Sequence, residues 1–207
     1  MKSSCGFVLL AVVSGFALGG CASFKAERVG DKDADEKAMS ITDKWVNGDT
    51  ILVVDSTMKQ IYEHKRFRKH RARNPGRESK LFVGEIQNNT SEAYLPVKDI
   101  EEALLSKLSN SDDFVLIDAA QRERLLKEIT YQNDGMVDPA QAKMIGKQSG
   151  ADMIIFGTVN MKPETREGKT IKNYGVNFRL TDIQSGEEIC RTREVVNKYS
   201  EQSGSGW

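Results

Sequence analysis

The most specific chemistry in the chain sits at Cys21. Leu18-Gly19-Gly20 precedes this cysteine, and Phe7 to Leu18 is an apolar run behind the single positive charge of Lys2. A dozen apolar residues fall short of the ~20 that a membrane-spanning helix needs. With a small-residue exit they take the form of a processed signal segment. Leu-Gly-Gly-Cys looks like a bacterial lipobox, in which a diacylglyceryl group is placed on the cysteine thiol and cleavage leaves Cys21 as the first residue. An ordinary secretory cut nearby, with Cys21 incidental, is the alternative. Ala22 stands where the aspartate of an inner-membrane retention signal would be, so the motif implies an outer-membrane anchor in a double-membrane bacterium. Each buried methylene contributes about 0.8 kcal/mol and one acyl chain binds only marginally, so two or three chains make attachment effectively permanent.

A second chemical signal is a run of cations: Lys65, Arg66, Arg68, Lys69, Arg71, Arg73 and Arg77, with a turn at Asn74-Pro75-Gly76. In a chain with 30 basic and 30 acidic residues this is a local positive patch. Arg66, Arg68, Lys69, Arg71 and Arg73 are candidates for contact with an anionic partner surface, lipid headgroups or acidic cell-wall polymer. A solvated helix end is the plainer reading. Nucleic acid is a poor partner, because overall charge is balanced and only Phe67 offers a stacking face. His64 and His70, six apart, suit neither one helix face nor a metal pair, and are expected on the surface.

Catalytic patterns are absent from the sequence. Gly168-Lys169-Thr170 lacks the glycine that a phosphate loop needs five positions earlier, where Pro163 stands. Ser203 and Ser205 follow no strand-to-helix elbow, and the two histidines leave no natural base for a nucleophile. Cys5 leaves with the signal, Cys21 is the anchor candidate, and Cys190 stands alone on an expected strand, so no internal disulfide is expected. The reading is a non-enzyme with no metal and no cofactor. Removal of Lys2 with the signal takes the net charge to 29 − 30 = −1.

The elements that must position these residues follow from periodicity. Gly150 to Val159, with Met153-Ile154-Ile155-Phe156 at its heart, predicts a strand buried on both faces and central to the sheet. Asp49 or Thr50 caps a helix to about Lys65, with Ile51, Val54, Met58, Ile61 and Tyr62 as its apolar stripe. Lys80 to Ile86 is a strand, and Pro96 opens a helix whose apolar face is Val97, Ile100, Leu104 and Leu108. Phe114 to Ile117 is a short strand. Asp118 and Asp138, each followed three positions later by glutamine, cap helices over 119–131 and 139–149, the second stopped by Gly150. Tyr174, Val176, Phe178 and Leu180 alternate with polar residues as an antiparallel strand, and Glu187 to Tyr199 returns as the edge. The chain thus divides into a signal segment (1–20), an anchor and flexible tether (21–48), one α/β (α+β) domain (49–199) with a mixed four- to five-stranded sheet and about four helices, and a disordered tail (200–207). Trp45 and Ile41 suggest that the end of the tether docks on the domain. Its 27 residues, Ala22 to Gly48, reach at most ~95 Å.

Leu81 to Thr90, Asp99 to Ala119, Met144 to Val159 and Leu180 to Ile189 together resemble the LpoB family of lipoprotein activators of penicillin-binding proteins. Gly150-Ala151-Asp152 leading into an apolar strand and Gly157 is shared more broadly with TolB amino-terminal and curli-secretion CsgG-type domains. The resemblance implies a mixed sheet packed with helices and a non-catalytic role. It implies an outer-membrane, periplasm-facing lipoprotein that binds the docking domain of a bifunctional class A penicillin-binding protein and stimulates peptidoglycan synthesis, with peptidoglycan itself a further partner. The short, proline-free tether departs from the long proline-rich one of enterobacterial members. A structural or secretion-accessory lipoprotein of the curli-secretion type is the competing reading. A pore former of that kind needs membrane-crossing hairpins for which the chain has no spare length.

Overall fold

The computed structural model describes residues 26–131 and 135–202. The signal segment, Cys21 and residues 203–207 of the tail lie outside them. In chain order the elements are α1 (Asp31–Ile41), α2 (Asn47–Glu63), α3 (Lys65–Arg73), β1 (Ser79–Asn89), α4 (Val97–Ser109), β2 (Phe114–Leu116), α5 (Ala119–Leu126), α6 (Pro139–Ser149), β3 (Met153–Arg166), β4 (Lys169–Asp182) and β5 (Glu188–Glu201). The five strands form one mixed sheet in the order β2-β1-β3-β4-β5. β1 pairs parallel with β2 and β3, and β3, β4 and β5 are antiparallel neighbours.

β3 is central because its first half is apolar at both parities. Met153, Ile155 and Val159 join one core with Val53, Val54 and Ile61 of α2 and Leu104 and Leu108 of α4. Ile154 and Phe156 join a second core with Leu125 of α5, Ile145 of α6 and Ile183. The sheet therefore has helices on both faces, as a strand buried on both sides requires. Beyond Val159 the strand runs on, exposed, to Arg166, so it is longer than its apolar run. Glu167 (φ 51°) and Gly168 (φ 76°) turn the chain into β4 with Arg166 opposite Lys169, the two left-handed residues that a tight hairpin demands.

Six helices are present among the described residues where about four were expected. The stretch read as tether is helical over Asp31–Ile41, and the expected helix to Lys65 breaks at His64 (φ −68°, ψ 128°), beyond which the basic run forms its own helix α3. α2 starts at Asn47, with Asp49 accepting the Val46 N–H at 2.8 Å inside the first turn. Val54, Met58 and Ile61 of the expected stripe are buried and Tyr62 is half-buried. The buried side also takes in Thr50, Val53 and Thr57 while Ile51 faces solvent, so the stripe is turned by less than one residue from expectation. The caps at Asp118 and Asp138 form, accepting from Ala120 N at 3.1 Å and from Ala140 N at 2.7 Å. α5 stops at Leu126, short of 131, and Ile129 and Tyr131 pack into the second core from irregular backbone. β5 runs two residues past the expected domain end, to Glu201.

One thread of contacts sets the position of the N-terminal segment. Residues 43 to 66 run antiparallel along β5: Asp43 accepts from Ser200 Oγ at 2.7 Å, Asp49 pairs with Lys198 at 2.6 Å, Gln60 bonds both backbone groups of Arg193, and Arg66 donates to the Glu188 carbonyl at 3.0 Å. Gln60 thereby satisfies backbone of an edge strand that would otherwise invite another chain. Trp45 is buried edge-on against Tyr174 and donates to Thr50 Oγ1 at 2.9 Å. Ile41, in contrast, is 85% exposed, so of the two residues expected to dock, only Trp45 does.

Lys198 is 2% exposed; among the described residues its ammonium pairs with Asp49 alone, at 2.6 Å, with Met39 Sδ at 2.9 Å. Removing the carboxylate leaves a buried cation uncompensated, so Asp49→Ala is expected to cost about 3–5 kcal/mol, while Asp49→Leu with Lys198→Met recovers much of it. Urea unfolding of the two variants checks this. Hydrogen bonds from Lys172 and Ser200 hold the Asp43 carboxyl below its ordinary 3.8. Its stabilisation is present above that unfolded value and is lost as pH falls through the lower folded one. Asp43→Asn is expected to flatten the stability curve in that acid window.

Candidate functional site

A helix made almost wholly of cations needs a reason to stay attached to the domain. α3 has one: Phe67, 1% exposed, stacks on Phe114 at 5.5 Å and meets Tyr62 edge-on. Phe67 fixes which way the remaining side chains point. Arg71 turns back to the fold, its Nε 2.6 Å from Asp113 and its guanidinium over the Tyr62 ring. Arg66 is tied by one bond to the Glu188 carbonyl. Lys65, Arg68, Lys69 and Arg73 are exposed and have no ion pair among the described residues.

The five candidate residues are thus brought onto one short helix but not into one role. Arg68, Lys69 and Arg73 present charge to solvent, and Arg71 is a structural ion pair. Arg66, Lys69 and Arg73 line one wall of an open groove of about 730 Å³ whose other wall is the β4–β5 turn, with Asp182, Gln184, Ser185 and Glu187. His64 and His70, expected at the surface, are half-buried, with His70 Nε2 3.3 Å from Ser79 Oγ.

Sequence reading missed two features that lie away from α3. The first is a buried ion pair between Glu101 of α4, 3% exposed, and Arg122 of α5 at 2.6 Å. β2 ends at Leu116, leaving the outer edge of β1 unpaired beyond Leu81. Arg122 Nε fills that edge by donating to the Val83 carbonyl. The pair joins helices of opposite layers around the sheet edge. The second is a polar cluster at the other end of the molecule. Lys172 bonds Asp43 and Glu92, both at 2.9 Å, and Tyr174 Oη donates to Glu92 at 2.8 Å. Burial, with the Glu92 carboxylate beside it, pushes the Tyr174 hydroxyl up, so it stays protonated as a donor. The amphipathic pattern signals neither, since each joins residues 21 to 129 positions apart.

Cys190 is buried and its thiol is pushed up to about 11 by burial, then by Glu188, so it is a poor nucleophile. No group of three or more metal-ligating side chains occurs among the described residues. No helix among them is long and apolar enough to cross a membrane.

A mixed sheet with helices on both faces carries a cationic helix at one end and a polar cluster at the other, an α/β architecture. Residues 49–192 match the sequence profile described as peptidoglycan-synthase activator LpoB, and the chain belongs to that family. Among solved structures, the LpoB C-terminal domain from Salmonella enterica is 18% identical, with a TM-score of 0.43, covering 66% of this chain and 97% of that one. The LpoB C-terminal domain from Escherichia coli is 18% identical at a TM-score of 0.42, with the same coverages. Lipoprotein GNA1162 from Neisseria meningitidis is 17% identical at 0.44, covering 61% and 88%. A comparison with curated proteins finds no match.

The division of roles on α3 is testable by stability alone. Arg68→Ala is expected to change unfolding free energy by no more than about 0.5 kcal/mol. Arg71→Ala is expected to cost up to about 1 kcal/mol, since its half-exposed ion pair is screened. Denaturant titration of both variants measures the difference.

Proposed function

We propose that this chain is an outer-membrane lipoprotein, held by acyl chains on Cys21, whose domain binds the docking domain of a bifunctional class A penicillin-binding protein and stimulates peptidoglycan synthesis. The observation that carries the proposal is the match to the activator family across residues 49–192. The lipobox and the absence of a catalytic pattern in the sequence support it.

An activator of this kind works by differential affinity. It raises the rate only as far as it binds the more active conformation of the synthase better than the less active one. A tenfold preference between the two states corresponds to about 1.4 kcal/mol. A few well-placed charges supply differences of that size at low ionic strength. Arg68, Lys69 and Arg73 of α3 are charges on offer, since none of them has an ion pair among the described residues. An acidic surface on the synthase is the complement they fit. Peptidoglycan carboxylates would compete for the same charges.

Purified mature chain lacking its first 21 residues is expected to raise the glycan-polymerising rate of the cognate synthase. No change in rate at a saturating concentration would overturn the reading. Arg68→Ala, Lys69→Ala and Arg73→Ala combined should weaken binding to the synthase most at low salt and leave the unfolding transition in place. Unchanged affinity under those conditions removes α3 from the interface.

A further inference from the structure

Exposed apolar side chains are not spread evenly over the domain. Ile41 at the end of α1 is 85% exposed, Tyr94 on the β1–α4 loop 98%, and Tyr199 near the end of β5 56%; Met39 and Ile171 are also open to water. Ile171 and Tyr199 stand directly opposite each other across β4 and β5. The polar cluster gathers all of these at one end. Asp43, two residues past Ile41, bonds Lys172 and Ser200, the neighbours of Ile171 and Tyr199. Glu92, two residues before Tyr94, bonds Lys172 as well. Of the other exposed large apolar side chains, Ile51 and Leu52 lie on α2, Val195 lies in mid β5 opposite Gly175, and Val115 belongs to the α3 end, opposite Lys80 at the start of β1.

We infer that this end of the domain rests on the lipid bilayer, with Ile41, Tyr94, Ile171 and Tyr199 at the headgroup boundary, an inference that rests on Cys21 being the anchor. Chain length names the occupant. Only ten residue steps separate Cys21 from Asp31, at most about 35 Å, so α1 and the surface beside it are confined to the neighbourhood of the acyl chains. Tyrosine suits the boundary, with an apolar ring to bury and a hydroxyl to leave in water. Four or five such side chains bind weakly on their own. A tether that short makes the encounter intramolecular and raises the effective concentration of lipid enough for weak contacts to persist. The arrangement fixes an orientation as well as a location: α3, at the opposite end of β4 and β5, is turned away from the membrane.

Site-directed fluorescence tests the contact. The mature lipidated protein is reconstituted in phosphatidylethanolamine–phosphatidylglycerol vesicles carrying nitroxide-labelled lipid. An environment-sensitive dye is placed through Ile41→Cys, Tyr94→Cys or, as the distal reference, Arg68→Cys. The buried, weakly acidic Cys190 thiol stays unlabelled. Probes at 41 and 94 are expected to shift to the blue and be quenched by the labelled lipid, and the probe at 68 to do neither. Equal behaviour at all three positions overturns the inference. So does a blue shift at 41 or 94 that nitroxide lipid fails to quench, which would mean a protein partner or a second copy covers the surface. Incorporation of labelled palmitate at residue 21 tests the anchor separately. If it is absent, the same probes are read on the mature chain with a histidine tag replacing Cys21 on nickel-chelating vesicles, and loss of the quenching pattern there overturns the lipid contact itself.

Discussion

An ammonium group nearly sealed from water decides how the N-terminal segment meets the sheet. Lys198 points into the core side of β5, where a bare cation is too costly to leave unpaired. Asp49 must therefore sit against it, and that fixes the start of α2. Once the start is set, helical rise and strand rise do the rest. Eleven residues of α2 from Asp49 to Gln60 advance about 16 Å. Five of β5 from Lys198 to Arg193 advance about 17 Å. The two ladders therefore stay in step along the edge, and Gln60 arrives at the backbone of Arg193. Arg66, a few residues on, reaches the Glu188 carbonyl and brings α3 to the β4–β5 turn.

The same constraint explains why the cationic helix is where it is. α3 has one buried apolar side chain, and Phe67 alone would leave its register open. Its place is inherited from α2, which is clamped at one end by Lys198 and along its length by Val53, Val54 and Ile61. Charge on α3 is thus displayed on a frame specified by residues far from it. A substitution at Asp49 would reach α3 through that frame.

The sheet was readable from the sequence because its central strand is apolar at both parities and its antiparallel partner alternates without interruption over Tyr174 to Leu180. The capping aspartates 118 and 138 and the left-handed Gly150 marked two helices for the same reason, that local backbone groups need local partners. What escaped depends on long-range partners. α1 has no buried residue and hence no apolar stripe to announce it. The α2 stripe includes Thr50 and Thr57, polar by type yet buried, while Ile51 and Leu52 face water, so hydrophobicity alone places Ile51 on the wrong side. Glu101, an acidic residue near the start of α4 with nothing in its local pattern to mark it, is buried beneath a guanidinium from α5. At the site, the cationic run was plain as composition. Which of its members was spent on the fold was not, because Asp113 and Tyr62, the groups that occupy Arg71, are distant in sequence.

β4 and β5 are each fourteen residues long and bonded to one another along nearly all of that length. Such a pair extends for about 45 Å, longer than the nine residues between Cys21 and α1 can stretch. With the chain attached at Cys21 as proposed, the length of this ribbon would set how far the cationic tip stands from its point of attachment. Trimming two facing residues from each arm would preserve which side chains point inward and draw that tip back by about 7 Å, so in such an arrangement stand-off distance would be written in strand residues.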